Sequence, residues 1–596
     1  MGPFSPSINC LSLSLYPGEL IDSLIEREYL DENKYRLFAS QFRLHSDSSG
    51  SWRGEFWGKF VRGACFCYAS RPSKKLYKII EDSVFELISY IENDGTLSSY
   101  VKEERFSGWD MWGRKYALIG MLSYLSICKS KEKKAKVIRA LTRQADAIMK
   151  SVGPNKNQIG ILKTATNYGS MASVSILGVY VDLYSLTGKA KYLDFASYIV
   201  STGLSSTDDL IEKALQKGSY PYQWKSKKAY EMNACFQGLF RYGLAKGDER
   251  AIKAAISYTK KVAESEFTIT GGIGIENEFY SHSSLRQTEP PSKPGLETCV
   301  TVSFMGLCFD LLAYTNDSYY AELIERMGYN ALFGSFNDLG QTMELSEGRV
   351  WNLEGYTTVP HEPYCFDSYS PLVSDRRCQV IGGFMVMQEG KTYGCCAANG
   401  GYGLGLLPAL ALHESQGGFA IDFYSSFKAK AKRKNKSISF KLTANMYKSG
   451  KASLKISGSN ERFPLRLRIP SWAKMSLALN GKPLPYQSEQ GYAVIDRVWD
   501  DDTLLIRLSF KLKRHLLNGK VAYTRGPIVL AEDARLGGFA DPLPRRASGK
   551  AVKNDAFKNN LTIKLSSKQR LIDYSSSGKN MDDPHSGLTV WANIKD

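Results

Sequence analysis

No uninterrupted apolar run in this chain of 596 residues approaches the roughly 18 that a membrane helix needs. The longest candidates, such as 116–128, read as buried helices. No Lys or Arg precedes Arg27, so the basic start of a secretory signal is missing and a cytoplasmic location is expected. The eleven cysteines are odd in number and scattered without the spacing of a disulfide framework, which favours a reducing compartment. Acidic residues nearly vanish between Lys428 and Lys474. One acid, Glu461, faces fourteen Lys or Arg there, and the stretch supplies +13 of the chain's net +18. No nucleic-acid motif accompanies that excess, and it reads as alternating strands, so neither nucleic acid nor membrane is an expected partner. A solvated sheet face is the plain reading, and affinity for an acidic polysaccharide the sharper one.

What is present describes an ordinary globular protein: 43% hydrophobic and 23% charged residues. The length exceeds one compact core, so two or three domains are expected. Thirty-five Tyr and nine Trp suit sugar-binding clefts as well as large cores. From about residue 20 to 412, apolar residues recur at three and four, as in 76–91, 111–127, 230–244 and 299–314. About a dozen such helices, without a fixed repeat period, fit a toroid of paired helices around a central cleft. After about residue 417 the period changes to two, with turns such as Asn480-Gly481, the pattern of an antiparallel sandwich. The expected division is a helical domain over 1–415, a β-sandwich over 416–518 and a smaller β unit over 519–596.

Three stretches interrupt the helices: Trp52 to Gly58, Thr268 to Gly295, and the long aromatic segment Ser346 to Gly394. A loop as long as the last is usually functional. Cys395 and Cys396 follow it, and Glu297-Thr298-Cys299 follows the second. Adjacent cysteines bond to each other only with strain, whereas three thiolates and a carboxylate suit one tetrahedral zinc ion. Glu297 and Cys299 lie at the start of one helix, and Cys395 and Cys396 just before another expected over 401–412, where free N–H groups favour anions. The plain alternative makes Glu297 a first-turn acid and the cysteines core residues. Cys65-Phe66-Cys67 is a second possible metal pair, although a strand-like alternation explains it without chemistry. Trp52, Glu55, Trp57, Trp109, Trp112 and Tyr369 are candidates to line a sugar cleft, each with a core-packing alternative.

Glu-Thr-Cys, the later Cys-Cys-x-x-Asn, the Thr270-Gly271-Gly272-Ile273-Gly274 loop and the domain order together resemble glycoside hydrolase family 127, best known for β-L-arabinofuranosidase. The segments Trp52-Arg53-Gly54-Glu55-Phe56, Trp112-Gly113-Arg114-Lys115-Tyr116 and Leu465 to Pro470 extend the resemblance over most of the chain. It implies a multidomain α plus all-β protein, an (α/α)6 barrel followed by C-terminal antiparallel β-sandwich domains. It implies Zn2+ held by Glu297, Cys299, Cys395 and Cys396, with Cys395 as nucleophile. Glu278 is the matching acid/base and Glu276 the fallback. The implied activity is a retaining release of a terminal furanose, β-L-arabinofuranose first, from plant-type glycans, so a carbohydrate is the expected partner and a homodimer is left open.

The chain also departs from the family pattern. Histidines that hold the sugar in well-known members are absent from Trp112 to Ala117, Tyr168 to Ser173 and Lys228 to Met232, and Ala397-Ala398 replaces a Pro-Pro. Tyr230, on the last of these helices, joins the candidates for the sugar pocket. Lys and Arg there would suit a carboxylated pentose. Two further readings stay open: a hydrolase or lyase on acidic pectic oligosaccharides using Glu231 or Glu55, and a non-catalytic carbohydrate-binding protein with a structural zinc.

Overall fold

The computed structural model describes residues 8–165, 167–276, 278–289, 296–337, 365–366, 371–373, 384–387, 392–434, 436–555, 560–579 and 587–595. Six helices form a closed inner ring: α1 (Gly54–Ser70), α2 (Asp110–Ile127), α3 (Leu177–Thr187), α4 (Ala229–Lys246), α5 (Thr298–Thr315) and α6 (Cys395–Ala411). Each packs on the next, and α6 returns to α1. Outer partners such as Lys74–Ser89, Lys131–Ser151, Ala190–Ser201 and Glu249–Ser265 are amphipathic, with an apolar stripe turned inward. The inner helices have no such polar face. Every residue of α6 is buried, and all of α5 up to its last turn except Phe309, as expected of helices surrounded by other helices. This is the (α/α)6 barrel that the periodicity and the resemblance lead one to expect.

Glycine sets how closely the ring closes. A Cβ on Gly58 of α1 would stand 1.8 Å from the Tyr116 carbonyl oxygen of α2, and one on Gly405 of α6 would stand 2.4 Å from Phe66 Cβ of α1. Two stretches, Asn167–Thr187 and Thr298–Thr315, are long and apolar enough to cross a membrane, contrary to the expectation from run length. Scattered polar residues break their runs without lowering the mean hydropathy. Of their apolar windows, 72% and 78% are buried within the protein, so the barrel itself accounts for their composition.

Three local expectations fail. Residues 65–67 lie inside α1, so Cys65 and Cys67 belong to a helix rather than a strand; both are buried core thiols that burial pushes upward. The Trp52–Gly58 stretch is mostly the first turn of α1 rather than a loop. Helix α6 begins at Cys395 itself, not after the cysteine pair. Tyr369, with most of 346–394, lies outside the described residues.

The β part follows the two-residue period. A seven-stranded sheet runs from β1 (Ile8–Leu13) through β2 (Phe427–Arg433), β3 (Lys436–Asn445) and β4 (Lys451–Ser457) to Asp502–Ser509, Lys474–Leu479 and Lys482–Leu484. A five-stranded sheet centred on Glu461–Arg468 forms the second layer. Pairing crosses the divisions expected along the chain. The N-terminal β1 is hydrogen-bonded to β2, and Leu512–Leu517 pairs with Lys520–Arg525 in a third, nine-stranded sheet. Edge strands accept any segment of matching register, and sequence order does not constrain which segment that is.

Buried polar contacts fix these layers to the barrel. Arg468 Nη2 lies 2.5 Å from Glu325 Oε1, both fully buried, and Asn330 donates to Pro527 O at 2.9 Å and accepts from Val529 N at 2.8 Å. The C-terminal unit braces one loop directly. Leu296 and Ile269 pack with Trp591, Val529 and Tyr574 in a small separate core, and Trp591 Nε1 donates to Gln287 Oε1. Glu297 follows immediately.

Candidate active site

Inner-helix starts converge on one cavity of about 80 Å3. Glu55 comes from the first turn of α1, Trp112 from that of α2, and Tyr230 and Glu231 from that of α4. Glu297 is the N-cap of α5 and Cys395 the first residue of α6. The free N–H groups and positive dipole ends of these helices point at one place, which favours anionic groups there. Trp52, Trp109, Tyr168, Lys59, Lys228 and Glu278 complete the wall.

Glu297, Cys299, Cys395 and Cys396 are all buried, and their ligand atoms lie within 4.8 Å of one another. Glu297 Oε1 is 3.5 Å from Cys395 Sγ and 3.4 Å from Cys396 Sγ, and the two sulfurs are 3.9 Å apart. Glu297 Oε2 is buried without a hydrogen-bond partner. A buried carboxylate with one oxygen left unpartnered, gathered with three sulfurs, is a donor set that a soft divalent cation satisfies. The group could hold a metal ion.

Electrostatics in the cluster are tight. Burial pushes the Glu297 carboxyl well above the usual range, and the neighbouring Glu278 and Cys395 add to it. Burial alone would also raise the Cys299 thiol. Hydrogen bonds from Cys395 and Cys396, with the Lys59 ammonium, outweigh it and bring Cys299 down to about 6. Cys395 and Cys396 are correspondingly raised, Cys395 chiefly because its hydrogen is given to Cys299 and Cys396 chiefly by burial. One anion is therefore shared among three sulfurs unless a cation joins them.

Two lysines balance the acids. Lys59 Nζ is 2.8 Å from Glu55 Oε1 and 3.8 Å from Cys299 Sγ, and it lies over the rings of Tyr230 and Tyr116. Lys228 donates to Glu278 Oε2 and sits over Tyr168. Glu278 has a φ of 63°, a left-handed conformation that side chains other than glycine adopt at a cost; here it accompanies a carboxylate turned into the cavity. Glu231 Oε2 is buried and unpartnered, and burial raises its carboxyl.

Most of the expected residues are therefore brought together: Trp52, Glu55, Trp112, Tyr230, Glu278, Glu297 and Cys395 all line the cavity, with Cys299 and Cys396 in the cluster behind it. Trp57 is not among them. It points into the core and donates to Ser83 Oγ at 2.9 Å, because two positions along a helix turn Trp57 to the side opposite Glu55. Glu276 lines a neighbouring cavity and pairs with Arg286 at 2.8 Å. His282 stacks on Tyr222 at 4.3 Å. Lys59 escapes sequence reasoning altogether, although Glu55-x-x-x-Lys59 is the spacing of a helical ion pair; its burial is what makes it part of the site.

A model described as the catalytic domain of β-L-arabinofuranosidases of glycoside hydrolase family 127 matches residues 20–343, and that family's middle-domain model matches residues 418–512. Among solved structures, the chain is similar to a family 127 β-L-arabinofuranosidase from Geobacillus stearothermophilus T6. The identity is 17%, with 98% of this chain and 100% of that one covered and a TM-score of 0.73. A second family 127 β-arabinofuranosidase matches at 18% identity over 100% of this chain and 98% of its own, with a TM-score of 0.73. No curated protein matches the sequence.

Proposed function

The chain belongs to glycoside hydrolase family 127, and we propose that it is a retaining glycosidase that releases a terminal furanose, β-L-arabinofuranose first, from plant-type glycans. The observation that carries this reading is a single cavity shared by Cys395, Glu278 and Glu297, with the four-residue ligand cluster at its base. Glu297, Cys299, Cys395 and Cys396 would hold zinc. When bound, the ion would keep sulfur in the thiolate form at neutral pH and supply positive charge beside the reacting centre.

Cys395 Sγ attacks the anomeric carbon. The carbon–sulfur bond forms as the glycosidic carbon–oxygen bond breaks, and Glu278 gives its proton to the departing oxygen. The carboxylate so formed then takes a proton from water, which displaces the sulfur and restores the first configuration. Lys228 donates to Glu278 in the resting site and holds its aim, and Glu278 takes up its proton from solvent before the sugar is cleaved. Trp52, Trp109 and Trp112 exclude water around the ring, and the unpartnered Glu231 Oε2 is placed to accept from a sugar hydroxyl. A volume of about 80 Å3, far below the roughly 300–1,000 Å3 of pockets that enclose large ligands, favours one terminal unit over an internal stretch of chain.

The sugar is best read as neutral. A carboxylated pentose needs a cation without a partner, whereas Lys59 pairs with Glu55 and Lys228 with Glu278. The same pairing weighs against a uronate hydrolase or lyase in this cavity.

The test is a set of nitrophenyl glycosides, β-L-arabinofuranoside included, with single-turnover mass spectrometry of the intact protein. The expected result is furanoside hydrolysis and a transient pentosyl adduct on Cys395, both lost in Cys395→Ser while folding persists. Wild-type protein that carries stoichiometric zinc yet hydrolyses none of the furanosides would leave the cluster as a structural staple.

A further inference from the structure

The basic stretch forms one face of the seven-stranded sheet. Along the body of β2, β3 and β4 buried residues alternate with accessible ones, and Lys428, Lys430, Lys432, Lys441, Lys451 and Lys455 all point outward. Their register is unusual. Lys428 stands directly opposite Lys441, and Lys441 directly opposite Lys455, so three ammonium groups form a row across adjacent strands. A second like pair, Lys451 with Arg507, follows nearby. Like charges in directly opposed positions destabilise a sheet, and an acid at any of these sites would relieve them. None is present among the outward residues of these strands, and none of these lysines makes an ion pair among the described residues. Hydroxyls interleave with the charges: Ser12 of β1 lies opposite Lys428, Ser439 opposite Lys430, and Thr503 opposite Lys455.

We propose that this outward lysine face is a docking platform for an acidic polysaccharide, which holds the catalytic barrel on a polymer that carries neutral furanose side units. This rests on the glycosidase reading above. The lysine row is complementary to a chain with one carboxylate per sugar, and the interleaved hydroxyls match the sugar's own. The division of labour follows from where unpaired cations are found. The catalytic cavity has its lysines matched by acids and takes a neutral unit, whereas the sheet face leaves its lysines unmatched and takes the charged backbone. An alternating β surface also presents its charges at two regular spacings, about 4.8 Å across strands and about 6.7 Å along them, which suits an extended repeating polymer.

The experiment is affinity electrophoresis of the full chain through gels containing polygalacturonate, neutral arabinan, single-stranded DNA or vesicles of anionic phospholipid. The variants are Lys428→Gln/Lys441→Gln/Lys455→Gln and its Arg counterpart at the same positions. Wild type and the Arg triple are expected to be retarded by polygalacturonate and released by salt. The Gln triple is expected to lose at least tenfold in affinity while hydrolysing the nitrophenyl furanoside within twofold of wild type. Its apparent Tm is expected to equal or exceed the parent's, since repulsion is removed. No retardation of wild type by polygalacturonate overturns the proposal, as does equal retardation of the Gln triple. Tighter binding to DNA or to the vesicles than to polygalacturonate overturns the choice of partner. Retardation is read without catalysis, so binding by a protein that hydrolyses no furanoside would sink the glycosidase reading alone.

Discussion

Replacing Lys59 by methionine removes the charge that balances the cavity while keeping most of the side chain's volume. The ammonium stands 2.8 Å from Glu55 Oε1 and 3.8 Å from Cys299 Sγ, and all three groups are buried. At an effective dielectric near 20, unit charges at those separations interact by about 6 and about 4 kcal/mol. Desolvation of the lysine offsets much of this, so the net loss expected for Lys59→Met is about 3–5 kcal/mol, the cost of leaving a buried charge without its partner. The double variant Lys59→Met/Glu55→Gln removes both charges, and the amide oxygen still accepts from Trp112 Nε1, which now donates to Glu55. It is expected to return to within about 2 kcal/mol of the parent. A second readout follows from Cys299. Lys59 helps to hold that thiol near 6, so its removal moves the thiol upward and shifts zinc uptake to higher pH. Denaturant unfolding of the four proteins in the cycle, with zinc uptake measured against pH in competition with a chromogenic chelator, gives both numbers. A Lys59→Met protein as stable as wild type, or a double variant no better than that single one, would refute the charge balance described here. An unmoved uptake profile would refute the role given to Lys59 beside Cys299.

Further expectations concern catalysis, packing and pH. Glu278→Gln should lower kcat by about 10²–10⁴-fold on a natural disaccharide and much less on an activated nitrophenyl leaving group; equal losses on both would remove Glu278 from the acid role. Gly58→Ala should destabilise the barrel by about 3 kcal/mol or more, because the new Cβ falls 1.8 Å from a backbone oxygen of α2 that has nowhere to move; a neutral result in thermal unfolding would mean that the ring is looser than described. Glu532 is buried beside Asp541, and burial, followed by that neighbour, raises its carboxyl from 4.5 to about 8. Between those values the folded protein keeps a proton that the unfolded chain has lost. Stability from this group is therefore complete below about pH 4.5 and lost as pH rises through 8, by a few kcal/mol. Glu532→Gln should flatten that decline in unfolding curves between pH 5 and 8, and an unchanged slope would show that Glu532 titrates normally.

The parts of the fold that are legible in the sequence are those set by local periodicity. Strand Lys451–Ser457 alternates buried and exposed along its length, and Glu249–Ser265 shows its helix through a one-sided apolar stripe. The helix start at Cys395 is not legible in the sequence, because the Ala397-Ala398 and Gly400-Gly401 pairs that follow carry a weak local signal and helical order there comes from packing on α1 and α5. Cys65 and Cys67 misled for a related reason. In a helix buried on all sides, a two-residue spacing of thiols says nothing about period. Trp57 and Trp52 are equally aromatic in sequence, yet only Trp52 reaches the cavity, because the turn of α1 sends Trp57 to Ser83.

By itself the sequence singled out the candidate ligands Glu297, Cys299, Cys395 and Cys396, and the order of helical and β parts, because residue chemistry and short-range period are written in the chain directly. Only the tertiary structure decided that Glu278 rather than Glu276 opens into the same cavity as Cys395, that Lys59 stands between Glu55 and Cys299, and that three lysines of separate strands lie in one row. The physical reason is that each depends on distances between segments far apart in sequence. Ring closure and strand register set those distances, and neither is encoded by any single stretch.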